Sequence, residues 1–178
     1  MKVFLNPGHA PNGNPDPGAC GCGLRECDVA KSVADLVADY LTTAGVEVVG
    51  KLQIDSLYDI VSASNRTDAD VFISIHCNAC NGNANGTEVW HYYGSDEGEK
   101  LADCIQNQIV DALGTVDRGV KGAKPGVNGL YVLNNTDAVA VLVELAFIDN
   151  ESDAALLRER QDEFARAIAR GVTDYEVQ

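Results

Sequence analysis

Apolar residues recur along this chain in two alternating rhythms. Residues 2–6 (KVFLN) make a short strand-like run, and residues 26–44 then carry apolar positions at helical spacing until Gly45 stops the pattern. Within that helix Val29, Ala30, Val33, Val37, Tyr40 and Leu41 share one face. Residues 46–49 predict a second short strand, and residues 56–65 a second helix. The run VFISIH at 71–76 stays apolar almost to its histidine, as expected of a strand buried on both faces. A loop, CNGNANG, fills 80–86, and residues 87–93 are rich in β-formers. Leu101, Cys104, Ile105 and Ile109 line one side of a helix over 97–113. Glycine and lysine mark 114–129 as irregular, residues 130–133 and 138–143 predict strands, and 151–172 one closing helix. No repeat or linker interrupts the series. It predicts α/β architecture: one three-layer domain over residues 1–178, a mostly parallel twisted sheet flanked by helices.

Four polar residues stand where the apolar runs end: His9, Glu26, His76 and Glu144. In open α/β sheets, ligands bind beyond the carboxyl ends of the strands, and His9, His76 and Glu144 each follow a strand run. Glu26 shares the apolar helix face with Ala30, Val33 and Val37, at spacings of four, seven and eleven. A carboxylate on such a face needs a compensating charge or strong hydrogen bonds. Singly, each residue has an ordinary reading: a hydrogen-bonded rim histidine, an acidic residue favoured at a helix N-terminus, a structural ion pair for Glu144. His91 reads as a plain strand side chain. As a set, two imidazoles and two carboxylates point to a hydrolytic zinc site.

Composition narrows the partners. With 178 residues, 46% of them hydrophobic, the chain can fill one well-packed core. Its 13 basic and 27 acidic side chains give a net charge of −14, which repels nucleic acid and other polyanions. No apolar stretch reaches the roughly 18 residues of a membrane span. The opening MKVFLNPGH enters a strand at once, so the expectation is synthesis without a classical secretion signal; a domain excised from an exported protein would read the same. Six cysteines in a chain with so large a core are expected to be reduced thiols, with Cys77 and Cys104 as core fillers. Cys20, Cys22 and Cys27 offer a weaker second metal site, without the paired C-x2-C spacing of structural zinc.

Four local sequences are more specific: NPGHAPNGNPDPG around His9, LRECDVAKSVADLVADYL from Leu24, ADVFISIHCNA, and VLVELAFIDN. Together with RGVKGAKPGVNGLYVL from Arg118, they resemble, in order, the zinc-dependent N-acetylmuramoyl-L-alanine amidases of the amidase-3 type, the catalytic domains of autolysins and phage endolysins. The resemblance implies that His9, Glu26 and His76 bind Zn2+ and that Glu144 is the catalytic carboxylate. It also implies a hydrolase of peptidoglycan that cleaves the amide between N-acetylmuramic acid and L-alanine, in cell-wall degradation or remodelling. An endolysin would accumulate in the cytoplasm before acting at the bacterial wall. Asp59, Val139 and Ala146 stand where many members carry Arg, Pro and Gly. Asn78 reads as a turn former or a substrate contact, and Lys121 and Lys124 as solvated loop cations or partners for acidic groups. Two alternatives remain open from the residues alone: a zinc peptidase acting within stem peptides, and a non-catalytic wall-binding or regulatory module.

Overall fold

Period-2 alternation in the central strands decides which residues see which side of the sheet. In a computed structural model describing residues 1–178, the strands are β1 (Lys2–Pro7), β2 (Cys20–Gly21), β3 (Leu24–Arg25), β4 (Glu47–Lys51), β5 (Val71–Asn78), β6 (Thr87–Tyr92), β7 (Asp117–Ala123) and β8 (Val139–Phe147). The helices are α1 (Glu26–Thr43), α2 (Leu57–Asn65), α3 (Asp96–Leu113), α4 (Tyr131–Asn135), α5 (Glu151–Glu159) and α6 (Gln161–Glu176). The main sheet runs β4-β1-β5-β8-β6-β7; only the β6–β8 pairing is antiparallel. This is the expected mostly parallel α/β domain, with helices on both faces.

Val3, Leu5, Ile73, Ile75, Val141, Val143 and Leu145 point into the larger core, beneath α1, α3 and α6. The alternate positions Phe4, Phe72, Ala140 and Leu142 enter a smaller core with Ile60 and Val61 of α2 and Val132 and Leu133 of α4. The larger core buries 31 residues and the smaller nine, so one face of the sheet is well covered and the other only in part. By the same alternation Asn6, Ser74, His76 and Glu144 continue the thinly covered face toward the strands' carboxyl ends. No helix is long and apolar enough to cross a membrane.

Three sequence expectations are corrected. Residues 130–133 are not a strand: the apolar run LYVL caps and opens the five-residue helix α4, a short run whose period cannot distinguish the two states. Residues 117–123 are not irregular but form β7, parallel to β6, where a register shift beside Val89 and Gly119 hides the alternation. The closing helix is two helices, broken at Arg160, whose backbone (φ −123°, ψ 30°) leaves the helical region. Between Cys20 and Arg25 the chain forms the small β2–β3 hairpin. Cys77 and Cys104 are buried, as expected.

Candidate active site

Strand ends and one helix start bring the expected residues together. His76 lies within β5 and Glu144 within β8, both strands running further than their apolar cores suggest. The two residues are register partners across the parallel β5–β8 pair. His9 follows β1 in a left-handed conformation (φ 65°), uncommon for a residue with a Cβ. Glu26 is the first residue of α1 and only 4% exposed. One nitrogen from each of His9 and His76 and one oxygen of Glu26 lie within 4.8 Å of one another.

Each of the three side chains is held from behind. Asp16 Oδ2 sits 2.7 Å from His9 Nδ1, which leaves His9 Nε2 facing Glu26 Oε2 at 3.0 Å. Ser74 Oγ donates to Asn6 Oδ1 at 2.8 Å, so its own lone pair receives the proton of His76 Nε2 at 3.1 Å. His76 Nδ1 then faces Glu26 Oε1 at 2.8 Å. The backbone N–H groups of Ala19 and Cys77 donate to the two Glu26 oxygens at 2.7 and 3.0 Å. This is the arrangement in which metal-binding histidines are usually held, the far nitrogen bonded to a carboxylate or hydroxyl.

With those partners in place, two imidazole lone pairs point at a carboxylate, so a proton or a cation must lie between them. The structure registers that demand as shifted ionisation. His9 is raised to about 9, chiefly by its bond to Glu26, with burial opposing and Asp16 adding to the rise. For Glu26, burial pushes upward, but the bonds from His76 and His9 win and hold its carboxyl well below the usual range. Two imidazoles and one carboxylate suit a divalent metal ion and leave coordination positions free for reactants. His9, Glu26 and His76 therefore form a group that can hold a metal.

The backbone is shaped to this cluster. A Cβ on Gly8 would come within 2.4 Å of His76 Cε1. At Gly18 (φ 69°) it would lie 2.4 Å from His9 Cδ2 and 2.6 Å from Glu26 Oε2. Neither position admits a side chain while the cluster keeps its form.

Glu144 stands beside the trio rather than in it. Its Oε2 is buried and has no hydrogen-bond partner. Burial is the largest influence on it, and with the Glu26 and Glu88 carboxylates nearby it carries the pKa to about 7, against the pull of His76 and His9. A carboxyl poised near neutrality with a free oxygen can take and return a proton. A cleft of about 330 Å3 opens at His9 and His76, walled by Ile54, Leu57, Ile60, Leu130 and Tyr131.

Sequence reasoning misses two elements of the site. Asp16 lies in the loop between β1 and α1, and only the fold brings it to His9. Glu88 pairs with Glu144 across β6 and β8, and binds Arg118 and Lys121 of β7; a strand hidden by its bulge conceals that pairing. Asn78 donates to Glu88 Oε1 at 3.2 Å and accepts from Ala79 N–H, so it acts as both turn former and network member. His91 is a buried strand residue. Cys20 is exposed while Cys27 is buried on α1, and Cys20, Cys22 and Cys27 form no second metal-binding group.

Comparison with known proteins gives a consistent answer. A family model described as N-acetylmuramoyl-L-alanine amidase, of the amidase-3 type, matches residues 3–174. The YqiI protein of Bacillus subtilis is 39% identical, with 97% of this chain aligned to 84% of that protein. The N-acetylmuramoyl-L-alanine amidase LytC of the same organism is 36% identical over 97% of this chain, which spans only 35% of LytC. The endolysin of Bacillus phage SPP1 is 37% identical, the alignment covering 95% of this chain and 62% of the endolysin. The N-acetylmuramoyl-L-alanine amidase structure from Clostridium difficile 630 superposes with a TM-score of 0.88 at 30% identity, covering 99% of this chain and 97% of that one. AmiC2 of Nostoc punctiforme gives 0.87 at 33% identity, with 100% and 98% covered. Matched from its first strand into its last helix, the chain belongs to the N-acetylmuramoyl-L-alanine amidase family.

Proposed function

We propose that residues 1–178 act as one catalytic domain in which His9, Glu26 and His76 hold zinc and Glu144 moves the proton. The reaction is hydrolysis of the amide joining N-acetylmuramic acid to L-alanine in peptidoglycan, at the bacterial cell wall. The observation that carries the proton-transfer assignment is the buried, unpartnered Oε2 of Glu144 beside the three converging ligands. Membership of the amidase family supports the choice of bond.

Bound by the trio, zinc supplies Lewis acidity, polarising an amide carbonyl and making water a better acid near neutral pH. Glu144 Oε2 accepts the proton of the attacking water as its oxygen bonds to the carbonyl carbon. The same carboxyl then delivers that proton to the alanine nitrogen as the C–N bond breaks, leaving a muramic carboxylate and a free amine. Asp16 and Ser74 hold the two imidazoles in the tautomers that keep their lone pairs on the metal side. The glycines at 8 and 18 keep the approach to both rings clear.

The test is digestion of purified peptidoglycan, with mass spectrometry of the released ends, beside Glu144→Gln. Free stem peptides beginning with L-alanine are expected from the wild-type protein and absent from the variant. New ends inside the stem would replace this reading with a zinc peptidase. No cleavage by zinc-loaded protein would replace it with a wall-binding or regulatory module.

A further inference from the structure

Glu88 lies opposite Glu144 across the antiparallel β6–β8 pair, its side chain 4% exposed. A carboxylate so buried needs strong compensation. It accepts four hydrogen bonds: from Asn78 Nδ2 (3.2 Å) and Trp90 Nε1 (3.0 Å) on Oε1, and from Arg118 Nε (2.8 Å) and Lys121 Nζ (2.5 Å) on Oε2. Burial opposes its ionisation, but Lys121 and Arg118 outweigh it and hold the carboxyl below its ordinary range.

One carboxylate shared by two cations leaves a positive charge over. Arg118 has only one further bond, to the Asn85 carbonyl at 3.4 Å, and Lys121 pairs with no other acid. Both side chains remain about one-third exposed, at 34% and 32%. Neither is a freely waving surface cation. The guanidinium of Arg118 lies 4.8 Å over the Phe147 ring, and Lys121 Nζ 5.3 Å from the centre of Trp90. Glu88 and these rings thus orient the cations in advance, which lowers the entropy lost when they bind an anion. In a chain of net charge −14, a preorganised cationic pair only half neutralised, held by the residue opposite Glu144, is the local exception.

The opposite flank of the metal trio has the contrary character. The cleft beneath α2 and α4 is mainly apolar, and its only carboxylates are Asp16 and Asp55; neither Lys nor Arg lines it. Away from the histidines that cleft offers an anionic group no cation, whereas β7 offers two.

We propose that Arg118 and Lys121, presented by Glu88, form a subsite for a carboxylate on the peptide side of the scissile amide. They are then specificity-determining residues that favour stem peptides with a free acid near the cleaved bond over their amidated counterparts. This rests on the amidase reading, which places a carboxylate-bearing peptide on one side of the bond and an uncharged glycan on the other. The donors available are Arg118 Nη2 and the Nζ protons of Lys121 not used by Glu88. Lys124, by contrast, lies 5.1 Å from the centre of the Tyr93 ring and is not bonded to Glu88.

The experiment measures binding and turnover separately on two probe pairs. Calorimetry compares L-alanyl-D-isoglutamate with its amide, L-alanyl-D-isoglutamine; kinetics compares the corresponding muramoyl peptides. The acid is expected to bind about tenfold more tightly, the size of one partly exposed charge-assisted hydrogen bond. The same preference should enter kcat/KM through KM. In Arg118→Gln/Lys121→Met the ratio falls to about one, whereas Lys124→Met retains it. Removing both cations strands the Glu88 charge, so Glu88→Gln/Arg118→Gln/Lys121→Met provides a second, charge-balanced variant with the same expected loss. Equal binding of acid and amide by the wild-type protein overturns the subsite, as does a preference that survives in both multiple variants. Preferential binding of the acid without cleavage of either muramoyl peptide would instead overturn the amidase reading and leave the anion site standing.

Discussion

Replacing Glu144 by glutamine should stabilise the metal-free protein above neutral pH, and the gain should vanish in acid. The wild-type carboxyl is buried with an unpartnered oxygen, and its pKa stands at about 7 against an ordinary 4.5. Below about pH 4.5 it is protonated in both the folded and the unfolded chain and costs nothing. As the pH rises from there to about 7, the unfolded chain releases the proton while the folded chain keeps it, so folding loses free energy. Above 7 the whole difference is felt, roughly 3 kcal/mol at 1.36 kcal/mol per pH unit. Glutamine has nearly the same shape and does not ionise. The gap between variant and wild type should therefore open from near zero at pH 4.5 to about 3 kcal/mol at pH 8, or about 6–12 °C in Tm for a chain of this size.

Urea denaturation at several pH values, with a chelator present throughout, measures the gap directly. The chelator matters because a dication beside Glu144 would pull its pKa down and shrink the effect. A gap independent of pH, or a variant less stable at pH 8, would refute the account of Glu144 as a destabilised carboxylate kept for its chemistry. Loss of peptidoglycan cleavage together with the gain in stability is the expected pairing, since function and stability make opposite demands on that position.

Two further predictions test the supports of the site and of the fold. Asp16→Asn should weaken zinc binding by about 10- to 100-fold, measured by competition with a fluorescent chelator, because His9 loses the carboxylate behind its Nδ1; an unchanged affinity would remove Asp16 from the site. Gly171→Ala should destabilise the protein by about 1–3 kcal/mol in chemical denaturation. Its Cβ would meet the backbone of Ile105 at 2.6 Å, where α6 crosses α3 and no flexible side chain can yield; a neutral result would mean that the two helices can separate without cost.

Much of the site is legible in the sequence because each principal residue interrupts a strong local pattern. His76 and Glu144 end apolar strand runs, and Glu26 sits on an otherwise apolar helix face. Such interruptions are costly unless something compensates them, so they stand out without a structure. Asp16 interrupts nothing: it lies among Asn, Pro and Gly in a loop, where an aspartate is ordinary. Glu88 likewise looks like an ordinary polar residue of a β-rich stretch, and Lys121 like a solvated loop cation. Only when β7 is seen lying parallel to β6 does Glu88 become a buried acid held by two cations.

The fold divides along the same line. Local periodicity alone determined α1, α3, the buried strands β1, β5 and β8, and hence an α/β domain with candidate site residues at strand ends and at the start of α1, because burying an apolar face forces the 3.6 or 2.0 repeat into the sequence. Tertiary structure decided the reversed direction of β6 against β8, the strand β7 with its bulge, the helical state of residues 131–135 and the break at Arg160. These segments are short or irregular, and their state is set by partners distant in the chain. The two sides of the site follow that division: Glu26 and His76 of the candidate metal group come from regular elements and His9 from just past the end of β1, whereas the pairing of Glu88 with Arg118 and Lys121 comes from contacts that local pattern does not encode.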